Sequence, residues 1–372
     1  MRASGRRFAW HRLAVLLLIL LAEFVVLEAG LRIAGGSEAG ASFQALFMTD
    51  PDVGHRLRPG ATMHYVTQEF ETDLAINGQG VRDDAEIGPK APGEKRILLL
   101  GDSLVMSVQV PLSETFGKRL ESRLAAAAPS HRWRVINAGV QGYGPVQEWF
   151  FFDRVAAAFD PDIVLVVVFV GNDVIEAADA APAFLAGRPP APAGGDAAVI
   201  GLRRLVRSSM VLQIARIRFD QLRARLTTRT PERPLATYLA DPPDEVARGL
   251  EVAREAYSRI ASRAAARGAA TGLVLMPARF QIDDQDFANL AGAVRDAGGV
   301  LERQAATDRL ARAVAPLQLP TLDLYPALAS QPDAANLFFR YNVHLTPRGH
   351  EIVANALFAF LRDSPAFGAM LP

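Results

Sequence analysis

A serine attacks an acyl carbonyl only when a base lies within hydrogen-bond reach and donors face the oxygen that gains charge. Ser103 stands where a fold can supply both. It lies in Gly101-Asp102-Ser103-Leu104, directly after the apolar run Ile97-Leu98-Leu99-Leu100. A tight turn at the C-terminal end of a buried parallel strand is where an α/β sheet presents reactive groups, because ligands bind in the crevice beyond the strand ends. Gly-Asp-Ser alone is weak evidence, since turns use these residues for backbone reasons. Three further segments strengthen it: Asn137-Ala138-Gly139-Val140-Gln141-Gly142, Gly171-Asn172-Asp173 and His344-Leu345-Thr346-Pro347.

The base must come from six histidines. His11 lies in a basic leader, His55 and His64 in a β-rich arm, and His131 on a charged stretch before a strand. His344 and His350 follow the last predicted strand, where the C-terminal loops of a sheet converge. His344 is the expected base, and His350 reads as a helix-surface or packing histidine. A metal shared by His344 and His350 has no third ligand evident nearby. For the oxyanion, the backbone N–H groups of Ser103 and Gly142 and the side-chain amide of Asn172 would serve. Gly142 reads either as a close backbone approach to substrate or as an ordinary turn glycine beside Gly139 and Gly144. Asn172 reads either as a donor or as a loop cap. Asp102 and Asp173 read as turn holders. The order G-x-x-G-x-G is not the dinucleotide fingerprint G-x-G-x-x-G, so no nucleotide cofactor is expected.

These residues need a scaffold, and the pattern supplies one. Strands are predicted at Arg96–Leu100, Arg134–Asn137, Ile163–Val170, Gly272–Met276 and Thr321–Leu324. The run Ile163–Val170 is apolar throughout, as a strand buried on both faces must be. Helices are predicted near 113–128, 145–158, 243–267, 284–315 and 347–362. Thr346 followed by Pro347 is an N-cap with proline at the first helical position. Such alternation implies an α/β fold with a parallel sheet and helices on both faces. Before it, Met63-His64-Tyr65-Val66 and Phe70–Ile76 are β-rich, and Asn77-Gly78 marks a turn. Residues 34–95 thus read as a tether and a small β-rich arm.

The composition sets limits. The 372 residues, half of them hydrophobic, suffice for one large domain with additions or two modest ones. Net charge is zero, which leaves no basic surplus for nucleic acid. The absence of cysteine excludes disulfides, thiolate metal sites and a cysteine nucleophile. Arg2, Arg6, Arg7 and Arg12 form a basic leader over 1–12 before the apolar stretch Leu13–Ala22. Counted through Ile33, residues 13–33 are long enough for a transmembrane signal anchor, with Glu23 as a costly passenger. The arginine excess keeps the leader in the cytoplasm and puts the remaining chain outside it. A cleaved signal peptide is the alternative, with small residues near Ala34 or Ala39-Gly40-Ala41. Near 180–240 an Arg-rich insertion follows a Pro/Gly loop. Val206, Met210, Ile214 and Ile217 fall at helical spacing there.

The segments around Ser103, Gly142, Asn172 and His344 resemble the four ordered blocks of the SGNH (GDSL-type) hydrolase superfamily. Val135–Gly144, Ile76–Arg82 and His344–His350 are similar to its membrane-anchored bacterial type. The resemblance covers residues 96–365 apart from the insertion. It implies a flavodoxin-like three-layer α/β/α sandwich that cleaves esters, often acetyl esters on carbohydrate, without metal or cofactor. It assigns Ser103 and His344 as catalytic, with Ser103, Gly142 and Asn172 as the oxyanion hole. The family usually places an aspartate two or three residues before the histidine, where this chain has Asn342 and Tyr341. Asn342 is then the expected orienter of His344. The acid stays unassigned, with Asp323 and Asp333 as alternatives. The expected protein is a single-pass enzyme of the bacterial inner membrane, its catalytic domain periplasmic, acting on an acyl ester of a small molecule or polysaccharide. Two rivals share the residues: a polysaccharide O-acetyltransferase, and a catalytically weak glycan-binding or scaffold member.

Overall fold

Five apolar runs become five parallel strands: β5 (Glu94–Gly101), β6 (Arg132–Gly139), β7 (Ile163–Phe169), β8 (Ala270–Met276) and β9 (Thr321–Asp323). They pair in the order β6-β5-β7-β8-β9. This is the doubly wound order in which the strand sequence reverses between the first and third strands of the sheet, β5 and β7, and the crevice at that reversal is where such sheets bind ligands. The register aligns Gly101 with both Gly139 and Val167, so the ends of β5, β6 and β7 form one edge.

The two sheet faces are covered differently. Ile97 and Leu99 of β5 share a core cluster with Phe116, Leu120 and Leu124 of α2 (Phe116–Ala127) and Leu357 and Leu361 of α10 (Pro347–Asp363). Helices α3 (Pro145–Arg154), α4 (Asp173–Leu185) and α5 (Asp244–Ala265) pack against one another. Thr346 caps α10 by accepting from the Gly349 N–H at 3.3 Å, and Pro347 occupies the first helical position. The single helix expected over 284–315 is instead two, α7 (Asp284–Asp296) and α8 (Ala305–Val314). Gly298 breaks it with φ +82°, a left-handed conformation that glycine adopts freely. The helix α4 has no counterpart among the predicted elements, and Asn172, the residue singled out for chemistry, stands directly before it.

The arm is two antiparallel hairpins, β1 (Phe47–Asp50) with β2 (Gly54–Leu57) and β3 (Thr62–Val66) with β4 (Glu71–Ala75).

The computed structural model describes Val15, Ser209 and residues 18–30, 43–190, 211–212 and 233–368. Contacts divide the chain into two units, Met1–Gln44 with Ala193–Thr228, and Ala45–Pro192 with Arg229–Pro372. The second holds every element above. In the first, residues 18–30 are helical, and Glu28 accepts from the Ser209 hydroxyl at 2.8 Å and the Val211 N–H at 3.1 Å. Leu18, Leu21 and Val26 on that helix are exposed. No helix among the described residues is long and apolar enough to cross a membrane. The segment expected to span, 13–33, lies partly outside the described residues. The basic leader, most of the tether and most of the Arg-rich insertion also lie outside them.

Candidate active site

Ser103 opens a four-residue helix, α1 (Ser103–Met106), at the end of β5. Asp102 caps it by accepting from the Leu104 N–H at 2.8 Å. Asp102 therefore holds the turn, as expected, and fixes the backbone at Ser103. β6 is fitted to the same helix. A Cβ at Gly139 would lie 2.3 Å from the Met106 nitrogen, so only glycine lets α1 rest on the strand end. Asn137 donates to the Val105 carbonyl at 2.7 Å and accepts from the Gly139 N–H at 3.1 Å. Arg82, buried, donates to the carbonyls of Met106, Ser107 and Val110 just beyond. These braces went unassigned in the sequence, although Asn137 and Arg82 both lie in segments that drew attention.

His344 comes from the far end of the sheet. A narrow loop is closed by the Phe338–Leu345 bridge and by the Phe339 N–H bond to the His344 carbonyl, 2.9 Å. It brings the imidazole to Ser103, with Nε2 2.9 Å from the serine Oγ. The other ring nitrogen, Nδ1, lies 2.5 Å from Asn342 Oδ1. An amide oxygen only accepts, so Nδ1 carries the proton and Nε2 is left free to take one. Neither alternative acid is used. Asp323 accepts from the Tyr325 N–H at 2.9 Å, and Asp333 pairs with Arg348 at 3.6 Å. Among the described residues no carboxylate contacts the His344 ring. Burial, with no anion to offset it, pushes the His344 pKa down to about 4. The imidazole is therefore neutral near pH 7. His350 is a packing residue: buried, it accepts from the Phe116 N–H at 3.2 Å and stacks on that ring.

Gly142 lies exposed in the loop after β6 with φ +76°, and a Cβ there would meet nothing within 4 Å. Its glycine is required by backbone conformation and not by crowding. Asn172 precedes α4, but its side chain makes no capping bond. Its Nδ2 donates to Glu176 Oε1 at 2.8 Å, which leaves the second amide hydrogen available.

Asp102, Glu148, Asp173 and Glu176 form a group of carboxyls withdrawn from solvent that no sequence pattern announced. Glu148 on α3 is 0% exposed, and neither of its oxygens has a hydrogen-bond partner. Asp173 accepts from the Phe169 N–H at 2.9 Å and is likewise buried. Among the described residues no cation pairs with Asp102, Glu148, Asp173 or Glu176. Burial first, then their mutual charges, push Glu148 and Asp173 well above the usual carboxyl range. Asp102 is pushed up to about 7 by burial, against its Leu104 bond. Burial also raises Glu176. Ionising an uncompensated buried carboxyl costs several kcal/mol, so Glu148 and Asp173 hold their protons more tightly than exposed carboxyls do. No group of three or more His, Asp or Glu among the described residues is arranged to hold a metal.

Three solved structures are distantly similar. The structure titled TesA aligns at 12% identity and TM-score 0.40, over 72% of this chain and 98% of that one. The lipase/acylhydrolase of Enterococcus faecalis aligns at 14% and 0.39, over 72% and 95%. Axe2, an acetylxylan esterase from Geobacillus stearothermophilus, aligns at 13% and 0.39, over 72% and 93%. No curated protein is significantly similar in sequence. The profile of the GDSL-like Lipase/Acylhydrolase family matches residues 99–352, a span that holds Ser103, Gly142, Asn172 and His344. The chain belongs to the GDSL-like lipase/acylhydrolase family, and it is an ester-bond hydrolase.

Proposed function

We propose that the protein is an extracytoplasmic serine esterase that removes acyl groups, acetyl foremost, from carbohydrate. The observation that carries the chemistry is the chain of contacts from Ser103 Oγ through His344 to Asn342 Oδ1, 2.9 and 2.5 Å long. Ser103 attacks the acyl carbonyl while His344 Nε2 takes the hydroxyl proton. The N–H groups of Ser103 and Gly142 and the free amide hydrogen of Asn172 face the oxyanion. The imidazolium returns its proton to the leaving alcohol, and a water activated by the same nitrogen releases the acid. With Asn342 neutral, the imidazolium is stabilised chiefly by the oxyanion it forms with. The base is therefore weak in the free enzyme and strengthens as the tetrahedral species develops.

The location rests on the arginines ahead of Leu13–Ala22 and on the exposed apolar residues of the 18–30 helix. Fusion of a periplasm-dependent reporter to the C-terminus tests it, and an inactive fusion contradicts it. The chemistry is tested with 4-nitrophenyl acetate and Ser103→Ala, which should lose activity by about 10⁴-fold or more. Full activity in that variant contradicts the reading. With acetylated polysaccharide, free acetate supports hydrolysis, whereas acetylated acceptor sugar would mark a transferase.

A further inference from the structure

The hairpin β3–β4 touches the histidine loop. Between its strands, Thr67 builds the turn, with its Oγ1 accepting from the N–H groups of Glu69 and Phe70 at 3.2 and 3.1 Å. That turn presents the Glu69 carboxylate to the loop. Oε1 accepts from the Tyr341 N–H at 3.0 Å and Oε2 from the Asn342 N–H at 2.8 Å. Phe70 packs on Phe339, ring centroids 5.4 Å apart. From the other side Arg279 donates to the carbonyls of Phe339 and Arg340. The loop's peptides are thus gripped at both ends, carbonyls by a cation and amides by an anion. Charge-assisted bonds of this kind are about twice as strong as neutral ones. The grip ends on Asn342, the residue that holds His344.

We propose that Glu69 is a positioning residue: from the N-terminal arm it fixes Asn342, and through Asn342 it sets the tautomer and aim of the His344 imidazole. The carboxylate missing beside the histidine is replaced by one acting a step away, through two backbone amides. The other hairpin makes a parallel contact on the oxyanion side. His55 of β2 bonds the Gln141 carbonyl at 3.0 Å, next to Gly142. The arm is thereby part of the site's support and not a detachable leader to it.

The proposal rests on the esterase reading for its kinetic consequence but not for its geometry, so the test has two arms in the full chain. In the first, the His344 imidazole is titrated by NMR in the unsubstituted protein and in Glu69→Gln, whose side chain offers one acceptor oxygen instead of two. The expected result is a rise of about one pH unit or more in the variant as the loosened ring gains water. Equal titration curves overturn the proposal whether or not the protein hydrolyses esters. In the second, 4-nitrophenyl acetate kinetics should show kcat down by about ten- to a hundredfold with KM within about twofold. Glu69→Asp, which keeps both oxygens, should recover part of kcat. A loss of kcat that tracks melting temperature, with the acid limb of the pH profile unmoved, would make Glu69 a structural residue only and refute the claim. An unsubstituted protein inert to the ester and to a fluorophosphonate would refute the esterase reading and leave the NMR result standing.

Discussion

Ser103 and Asn172 follow strands buried along nearly their whole length, whereas His344 stands on a loop whose neighbours Tyr341 and Val343 are 71% and 55% exposed. The nucleophile's side is fixed by packing. Gly139 admits α1, and Asn137 and Arg82 tie it down. The base's side is fixed by polar contacts from distant parts of the chain, Asn342, Glu69 and Arg279. Close packing backed by buried bonds from Arg82 and Asn137 gives rigidity shielded from solvent and salt. Polar clamps give a position that depends on each partner. The difference teaches that the base is the adjustable half of this site.

Substitutions on the two sides should therefore fail differently. The largest effect is expected from His344→Ala, which should reduce kcat/KM for an aryl acetate by about 10⁴-fold without changing stability by more than about 1 kcal/mol. Next is Asn342→Ala, where the ring loses its tautomer partner and kcat should fall by about a hundredfold. Asn342→Asp works in the other direction on acidity. A carboxylate beside Nδ1 favours the imidazolium, so the acid limb of kcat/KM should move from near 4 towards or beyond the usual histidine range. An unmoved limb would mean that His344 does not report the ionisation.

On the packed side the limb at issue is alkaline. Asp102, the neighbour of Ser103 in the chain, is mostly neutral below about 7 and ionises above it, which adds a negative charge next to the reacting serine in sequence. Activity should fall as pH rises through that value. Asp102→Asn, which still accepts the Leu104 N–H, should keep its activity to higher pH. The smallest effect is thermodynamic. A carboxyl whose pKa is raised on folding contributes nothing unfavourable below its unfolded value, and stability is lost as pH climbs towards the folded one. Glu148→Gln should then leave the melting temperature unchanged near pH 4 and stabilise the protein by about 1–3 kcal/mol near pH 8. Equal stability changes at both pH values would mean that Glu148 is not held protonated.

Legibility depended on how local each signal is in the sequence. The strands could be read because runs such as Ile163–Phe169 are apolar at every position, and Ser103, Gly142 and Asn172 follow from where those runs end. The break between α7 and α8 has a local signal in Gly298-Gly299, which the expected single helix over 284–315 passed through. The buried carboxyls were not legible, because Glu148 reads as an ordinary helical residue until α3, α4 and α5 pack together. Glu69 was out of reach altogether: it lies 272 residues before Tyr341, and no local pattern joins the two. Asn342 could be named as the orienter because it sits two residues from the histidine it holds.

Intact-protein mass spectrometry with a fluorophosphonate, followed by peptide mapping, tests the centre of this account most directly. The account predicts one adduct, on Ser103, formed at a rate whose acid limb lies near pH 4 and lost in His344→Ala. An adduct elsewhere, or equal labelling of Ser103 without the imidazole, would contradict it.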